Sequence, residues 1–579
     1  MEGRTDNIYQ FKPFVAAGNV HPIRLLTLLP NKNFDDDLRC EVNHTSLEDK
    51  PEFEALSYTW GNPKDVVPLL LHDQTFHVTK NLASALRHLR YTYEPRVLWV
   101  DALCINQSDI PERNQQIPQM REIYDVGGAK RVVVWLGEVK NAKIAINFCE
   151  RLLKEPPEFA LLPGYDLEWE ACYELLVEMP WWSRAWIIQE VIHKNTVIVH
   201  IGNLEPVSIE YICDVSSTFN NAWDVKIRLQ RIPDQNALIS ATKSKSPLKS
   251  FVPLPGKDWS SSVRAQKHLM KAAFNIQDIR AATKGDSSNL HLNLPALVMV
   301  FRNQDTTDFR DKIYAFLGIA NRGPIWHQIP IDYNLSKKSF YTIVVRAFIN
   351  NPNNSLIPLL MVESHHRPVV RDQELPSWVS DYTLKQNYIS QMHTSTATSF
   401  SADKGFPSVE QEPRFLESLN CEVLVLRGIY VGVIADTYKA RITNDEDLAG
   451  FDDVKLIRHN EDPQNRHRDF VRSPLYPWDT TDPDITGENP LVSHSNTSWG
   501  PIHSEIGDII IVAVGSLVPL VLREFEDGKY LFVGACWLIE HEIQDLTKLN
   551  VDPGFSRVMF GSACEGLPDD YKAEMFSLY

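Results

Sequence analysis

Apolar residues in the first two hundred positions recur with two alternating rhythms. Short runs are nearly continuous: Ile23–Leu29 (IRLLTLL), Phe53–Trp60 (FEALSYTW), Leu98–Ala102 (LWVDA), Arg131–Leu136 (RVVVWL) and Thr196–Ile201 (TVIVHI). Such runs suit strands covered on both faces. Between them the spacing turns helical. Leu82, Leu86 and Leu89 share a face within Thr79–Leu89, and Ile117, Met120 and Tyr124 fall at i, i+3 and i+7. Ala142–Leu153 and Trp169–Met179, the latter ended by Pro180, predict two more helices. A further one is expected from a cap at Ser183, with Trp186, Glu190 and His193 on one face. Strands alternating with helices to about residue 205 predict an α/β domain on a mostly parallel sheet.

The stretch from Leu98 to Gly137 organises that domain. It reads as strand, helix, strand, with Asp109 capping the helix and Pro111 and Glu112 in its first turn. A unit of this form predicts parallel strands. Ligands of such sheets lie beyond the carboxyl ends of strands, where Asp101, Cys104, Asn106 and Gln107 fall.

Beyond residue 205 the pattern changes. Helical pieces are expected to about 290, broken by an exposed basic loop at Lys243–Lys257, and again over Leu294–Leu317 and Ser336–Asn350. Residues 385–412 read as a polar loop. Val423–Leu426, Ile509–Val514 and Leu517–Leu522 are strand-like, and Asp527-Gly528 predicts a hairpin turn. The proline-rich stretch 451–500 is expected to be a long surface excursion. The resulting division is 20–205, a mainly helical 206–384, and a β-rich module at 413–579.

Composition narrows the partners. With 75 acidic and 58 basic residues the net charge is −17, a field that disfavours general nucleic-acid binding. No apolar run spans a membrane, and the polar start does not resemble a signal peptide. Eight scattered cysteines without a CxxC pair fit a reducing, cytoplasmic setting with neither disulfides nor a zinc site. His365, His366 and His467 have no metal-ligand spacing. No Gly-rich phosphate loop is present.

Three places carry candidate chemistry. Glu190 is flanked by Ile187, Ile188, Val191 and Ile192, so its carboxylate lies near apolar surface, with a raised pKa and either a partner such as Arg184 or a function. Asp101 interrupts an apolar strand and needs hydrogen-bonded partners, with the Ser57 hydroxyl a candidate. Trp60-Gly61-Asn62 follows a strand; it can floor a nucleotide pocket by stacking, or be simply a tight turn. Cys104 reads as a small buried residue rather than a nucleophile paired with His88, and Arg113 and Gln116 as surface or supporting groups.

FEALSYTWG (53–61), LWVDALCINQSDIPERNQQIPQMREIY (98–124), VVVWLG (132–137) and WWSRAWIIQEV (181–191) resemble, in order, the signature blocks of the fungal heterokaryon incompatibility (HET) domain. FRNQDTTDFRDKIYAFLGIA (301–320), IPIDYNLS (329–336), LPSWVSDY (375–382) and GDIIIVAVGSLVPLVLR (507–523) resemble the segments that follow it in long fungal members. Pro118 departs from the pattern by interrupting the central helix, and Gly127-Gly128 is expected to loosen its end.

The HET domain is in turn similar to TIR domains, which implies a flavodoxin-like fold. In TIR enzymes a Glu four positions after a Trp cleaves the nicotinamide–ribose bond of NAD; here these positions are Trp186 and Glu190. The resemblance implies Glu190 as the catalytic residue and Ser57, Trp60, Gly61, Asn62, Asp101, Asn106 and Trp186 as substrate contacts. It implies NAD as substrate, no permanently bound cofactor, and protein partners with self-association. Three roles stay open: an NAD-cleaving effector of incompatibility-type cell death, a non-enzymatic assembly module, and a regulatory HET protein without toxicity.

Overall fold

The structure is a computed structural model. It describes residues 8–14, 21–125, 127–155, 165–192, 196–230, 276, 280, 293–320, 324–350, 356–362, 375–385, 414–415, 423–439, 454–461, 497–501, 503–513, 516, 520–535, 537–538 and 574–578. These form two compact units, Met1–Asn321 with Ile331–Asn334, and Arg322–Pro330 with Leu335–Tyr579.

The first unit is built on a nine-stranded sheet in the order β5-β4-β2-β1-β6-β3-β7-β8-β9. The strands are β1 (Pro22–Leu28), β2 (Arg39–Ser46), β3 (Glu54–Tyr58), β4 (Val66–Leu71), β5 (Gln74–Thr79), β6 (Arg96–Trp99), β7 (Arg131–Gly137), β8 (Val197–Ile201) and β9 (Val207–Ser208). The α/β class is as expected, but the sheet is mixed rather than mostly parallel. β6, β3, β7 and β8 run parallel, as do β2 and β4, whereas β1–β2, β1–β6, β4–β5 and β8–β9 are antiparallel. β2 alternates buried and exposed residues, so it needs cover on one face only. β7, by contrast, is buried from Val132 through Gly137. β6 and β7 are parallel, as the strand–helix–strand reading requires, yet not adjacent, because β3 lies between them.

The helices follow the sequence rhythm, with local corrections. Helix α1 (Lys80–Leu89) starts where the Thr79 hydroxyl accepts the Leu82 N–H. A helical turn α2 (Asp101–Cys104) follows β6, so Asp101 stands in that turn and not on the strand. The central helix is divided into α3 (Ile110–Gln116), a 3₁₀ turn over Ile117–Gln119 and α4 (Met120–Tyr124). Pro118 causes the division, since it lacks an N–H and crowds the preceding turn. Gly128 closes the helix end rather than loosening it: a Cβ there would collide with the Glu122 carbonyl oxygen. Next come α5 (Ala142–Lys154), α6 (Asp166–Tyr173) and α7 (Trp186–Ile192). Ser183 does not cap α7; it lies in the 3₁₀ turn Pro180–Ser183 and donates to the Pro180 carbonyl. The chain continues through α8 (Ile209–Gln230), α9 (Leu294–Val300) and α10 (Asp311–Leu317). No helix among the described residues is long and apolar enough to cross a membrane.

The second unit holds helices α11 (Pro324–Gln328) and α12 (Lys337–Ile349) and a second nine-stranded sheet. Its hairpin joins Leu520–Glu526 to Lys529–Ala535 across Asp527-Gly528, where Gly528 takes φ 68°, a value that suits glycine. Within the expected surface excursion, Val454–Glu461 and Thr497–Pro501 are instead paired strands. The loops expected at Lys243–Lys257 and 386–412, and His365, His366 and His467, lie outside the described residues.

Candidate functional site

The carboxyl end of β3, in the middle of the parallel strands, gathers buried polar side chains. Ser57 is fully buried, and its hydroxyl donates to Glu190 Oε2 on α7. The hydroxyl oxygen of Ser57 also accepts the Trp181 indole N–H at 2.9 Å. An indole N–H can only donate, so the hydroxyl proton is directed at the carboxylate. Arg184 completes the group: one guanidinium nitrogen lies 3.8 Å from Glu190 Oε1, and another donates to the Tyr58 carbonyl. Below them the Tyr124 hydroxyl donates to the Leu56 carbonyl at 2.9 Å.

Asp101 forms the outer part of this cluster. It accepts the Trp60 indole N–H at 2.7 Å, its own neighbour's N–H from Ala102 at 2.7 Å, and the Tyr58 hydroxyl. The expected Ser57–Asp101 bond does not form, because Ser57 directs its proton to Glu190. The polarity of the pocket explains its electrostatics. Burial pushes Glu190 up to about 7 and outweighs the opposing guanidinium of Arg184 and the hydroxyl of Ser57, while Asp101 adds to the rise. The phenols of Tyr58 and Tyr124 are raised well above their ordinary value, chiefly by burial and then by these carboxylates.

The remaining expected contacts are distributed differently. Gly61 takes φ 78°, and Asn62 accepts the Lys64 N–H at 3.0 Å, so both serve a turn. They line an open cleft of about 320 Å³ with Asp65, Lys80, Asn81, Ser84 and Glu138, whose lining does not include Glu190. Only Trp60 turns from this loop toward the cluster, and it is 39% exposed. Asn106 closes its own turn by accepting from Ser108. Trp186, one helical turn before Glu190, gives its indole to Asp311.

Cys104 is buried, accepts the Val100 N–H and is pushed up to about 12 by burial, while the His88 ring lies tilted against Trp135; they form no nucleophilic pair. Gln116, expected at the surface or in support, is fully buried and donates to the Pro22 carbonyl at 2.8 Å. Among the described residues no cluster has the makings of a metal site. Sequence reasoning does not single out Tyr58, Trp181 or Tyr124 as participants. Their signal in the sequence is only that of core aromatics, and nothing local distinguishes a core tyrosine that bonds a carboxylate.

The family model described as "Heterokaryon incompatibility protein (HET)" matches residues 53–190, from the residue before β3 to Glu190 itself. Heterokaryon incompatibility protein 6, OR allele, of Neurospora crassa is 29% identical over 230 residues, covering 32% of this chain and 34% of that protein. The chain thus spans about a third of the length of the curated relative it matches. No solved structure matches the chain. Both partners of the Ser57–Glu190 bond lie inside the matched span, so the cluster belongs to the part of the chain, residues 53–190, that is similar to the HET family.

Proposed function

We propose that this HET domain is an effector of fungal non-self recognition and programmed cell death, acting by hydrolysis of the nicotinamide–ribose bond of NAD. The observation that carries the reading is the Ser57–Glu190–Arg184 arrangement at the carboxyl end of the central parallel strand. Two further features support it. The parallel strands β6-β3-β7-β8 stand second, first, third and fourth in chain order, matching the start of the flavodoxin-like order that the TIR resemblance implies. The Neurospora relative is, by its name, an incompatibility protein.

In this reaction the bond from ribose C1′ to the nicotinamide nitrogen breaks and neutral nicotinamide leaves. The ribose becomes oxocarbenium-like, and water adds to give ADP-ribose and a proton. The ionised Glu190 stabilises the cationic ribose or holds its hydroxyls. Ser57 and Arg184 fix the carboxylate, and their donors favour its charged form. NAD is here a substrate, with no cofactor held permanently.

A second reading rests on burial. The Glu190 side chain is 3% exposed and already satisfied by Ser57 and Arg184, which favours a structural role in a non-enzymatic, self-associating assembly module. Nicotinamide release by the full chain, dilute and concentrated, separates the two. The enzyme reading expects release that grows with self-association and vanishes in Glu190→Gln. Folded, concentrated protein that releases none supports the assembly module.

A further inference from the structure

The loop that carries Arg184 is held by chain far beyond the HET match. Gln304, 3% exposed, donates from its amide nitrogen to the Trp182 carbonyl at 2.7 Å and to the Arg184 carbonyl at 3.2 Å. Its neighbour Asp305 makes a two-way backbone bridge: its N–H donates to the Ser183 carbonyl, and its carbonyl accepts the Ala185 N–H at 3.0 Å. The grip is itself rigid, since the buried Lys312 ammonium donates to the Arg302 carbonyl at 3.0 Å and to that of Gln304. Every backbone carbonyl from Trp182 to Arg184 is thereby committed to Gln304 or Asp305. The Arg184 side chain departs from this fixed backbone toward the Tyr58 carbonyl and Glu190.

We infer that Gln304 is a positioning residue for the candidate site, which sets the Arg184 guanidinium against Glu190. The inference rests on reading Glu190 as the functional carboxylate, but its consequence is readable without turnover. The groups facing Glu190 are Ser57 and Tyr58 on β3, Asp101 on α2, Tyr124 on α4, and Arg184 with Trp181 from the preceding loop. Arg184 is the cation of this group, and an opposite charge at such range lowers a carboxyl pKa by roughly 1–3 units. Releasing its backbone lets the guanidinium retreat, and the Glu190 proton is then held to higher pH.

The test is a pH titration of the Glu190 carboxyl in the full chain by difference infrared spectroscopy, with Glu190→Gln identifying its band. Arg184→Met measures the whole effect of the guanidinium, expected as an alkaline shift of about one unit or more. Gln304→Met, of similar volume but without donors, is expected to shift the midpoint in the same direction by part of that amount. Gln304→Asn, whose amide is one methylene shorter, serves if the first variant does not fold. A midpoint unmoved in folded Gln304 variants, whatever their melting temperature, overturns the inference and leaves Gln304 a purely structural residue. An unmoved midpoint in Arg184→Met overturns it as well. A wild-type chain that titrates as expected yet releases no nicotinamide defeats the enzymatic reading alone.

Discussion

Ser57 and Glu190 are joined by a hydrogen bond across 133 positions of chain, from the central strand to the last helix of the HET match. The bond ties an ionisable group with almost no access to water to the strand about which the sheet is ordered. Stability, its dependence on pH and its response to substitution should all carry the mark of that tie.

Glu190 titrates at about 7 in the folded chain against an ordinary 4.5. Between those values the folded protein holds a proton that the unfolded chain has released, so stability falls as pH rises through that window. The cost is absent below the unfolded value and complete above the folded one, at about 3 kcal/mol. Glu190→Gln removes it. Melting temperatures of the two proteins, compared from pH 5 to pH 8, should diverge in favour of the variant as pH rises. Parallel curves would contradict the raised pKa.

Asp101→Ala should destabilise by about 1–3 kcal/mol, because the buried Tyr58 hydroxyl loses its acceptor. Trp60 is partly exposed and its N–H can turn to water, so the tyrosine carries most of the loss. Urea unfolding measures the loss, and a change under about 0.5 kcal/mol, that of an ordinary surface substitution, would refute the assignment.

Arg24 is fully buried and grips Glu112 with two nitrogens, at 2.5 and 2.9 Å, while Phe11 and Phe14 lie against its guanidinium. Arg24→Met strands a buried carboxylate and should cost about 3–5 kcal/mol. The double variant Arg24→Met/Glu112→Gln should regain part of that. A double variant no more stable than the single one would show that packing of the arginine, not its charge, is what matters.

Gly318 touches the helix that carries Glu190. A Cβ there would lie within 2.7 Å of the Gln189 amide group, and Gln189 is buried, its amide nitrogen donating to the Ala315 carbonyl and its oxygen accepting the Arg121 N–H. The side chain cannot yield without losing those bonds. Gly318→Ala should therefore cost about 1–3 kcal/mol, read as a lowered urea midpoint. Wild-type stability would mean that Gln189 moves freely.

Much of the first unit is legible in the sequence because burial on both faces leaves a mark in one dimension. β7 and β8 are visible as mostly apolar runs rich in β-branched residues, and α1 as a leucine stripe with a threonine cap. Pro118 announces its own break. The strands that escape such reading are those with weaker marks. β2 alternates with polar residues, β4 carries a proline, and β9 is two residues long. Their pairing makes the sheet mixed. Pairing direction is a property of two distant segments, so no single run can express it.

For the site, the sequence by itself determined that Glu190 stands among isoleucines and a valine, and hence that its carboxyl is costly to ionise. It also determined the identities of Asp101, Ser57 and Trp60 near strand ends. Only the tertiary structure decided who meets whom. Ser57 turns to Glu190 because the Trp181 N–H occupies the other side of its oxygen, and Asp101 turns to Trp60 and Tyr58 because a helical turn carries it off the strand. Trp186 is drawn away by Asp311, and Gln304 reaches back across 120 positions to the carbonyl behind Arg184. Hydrophobic periodicity records how deeply a residue is buried. A hydrogen bond depends on direction and on a partner, and both are fixed only when the sheet and its covering helices close together.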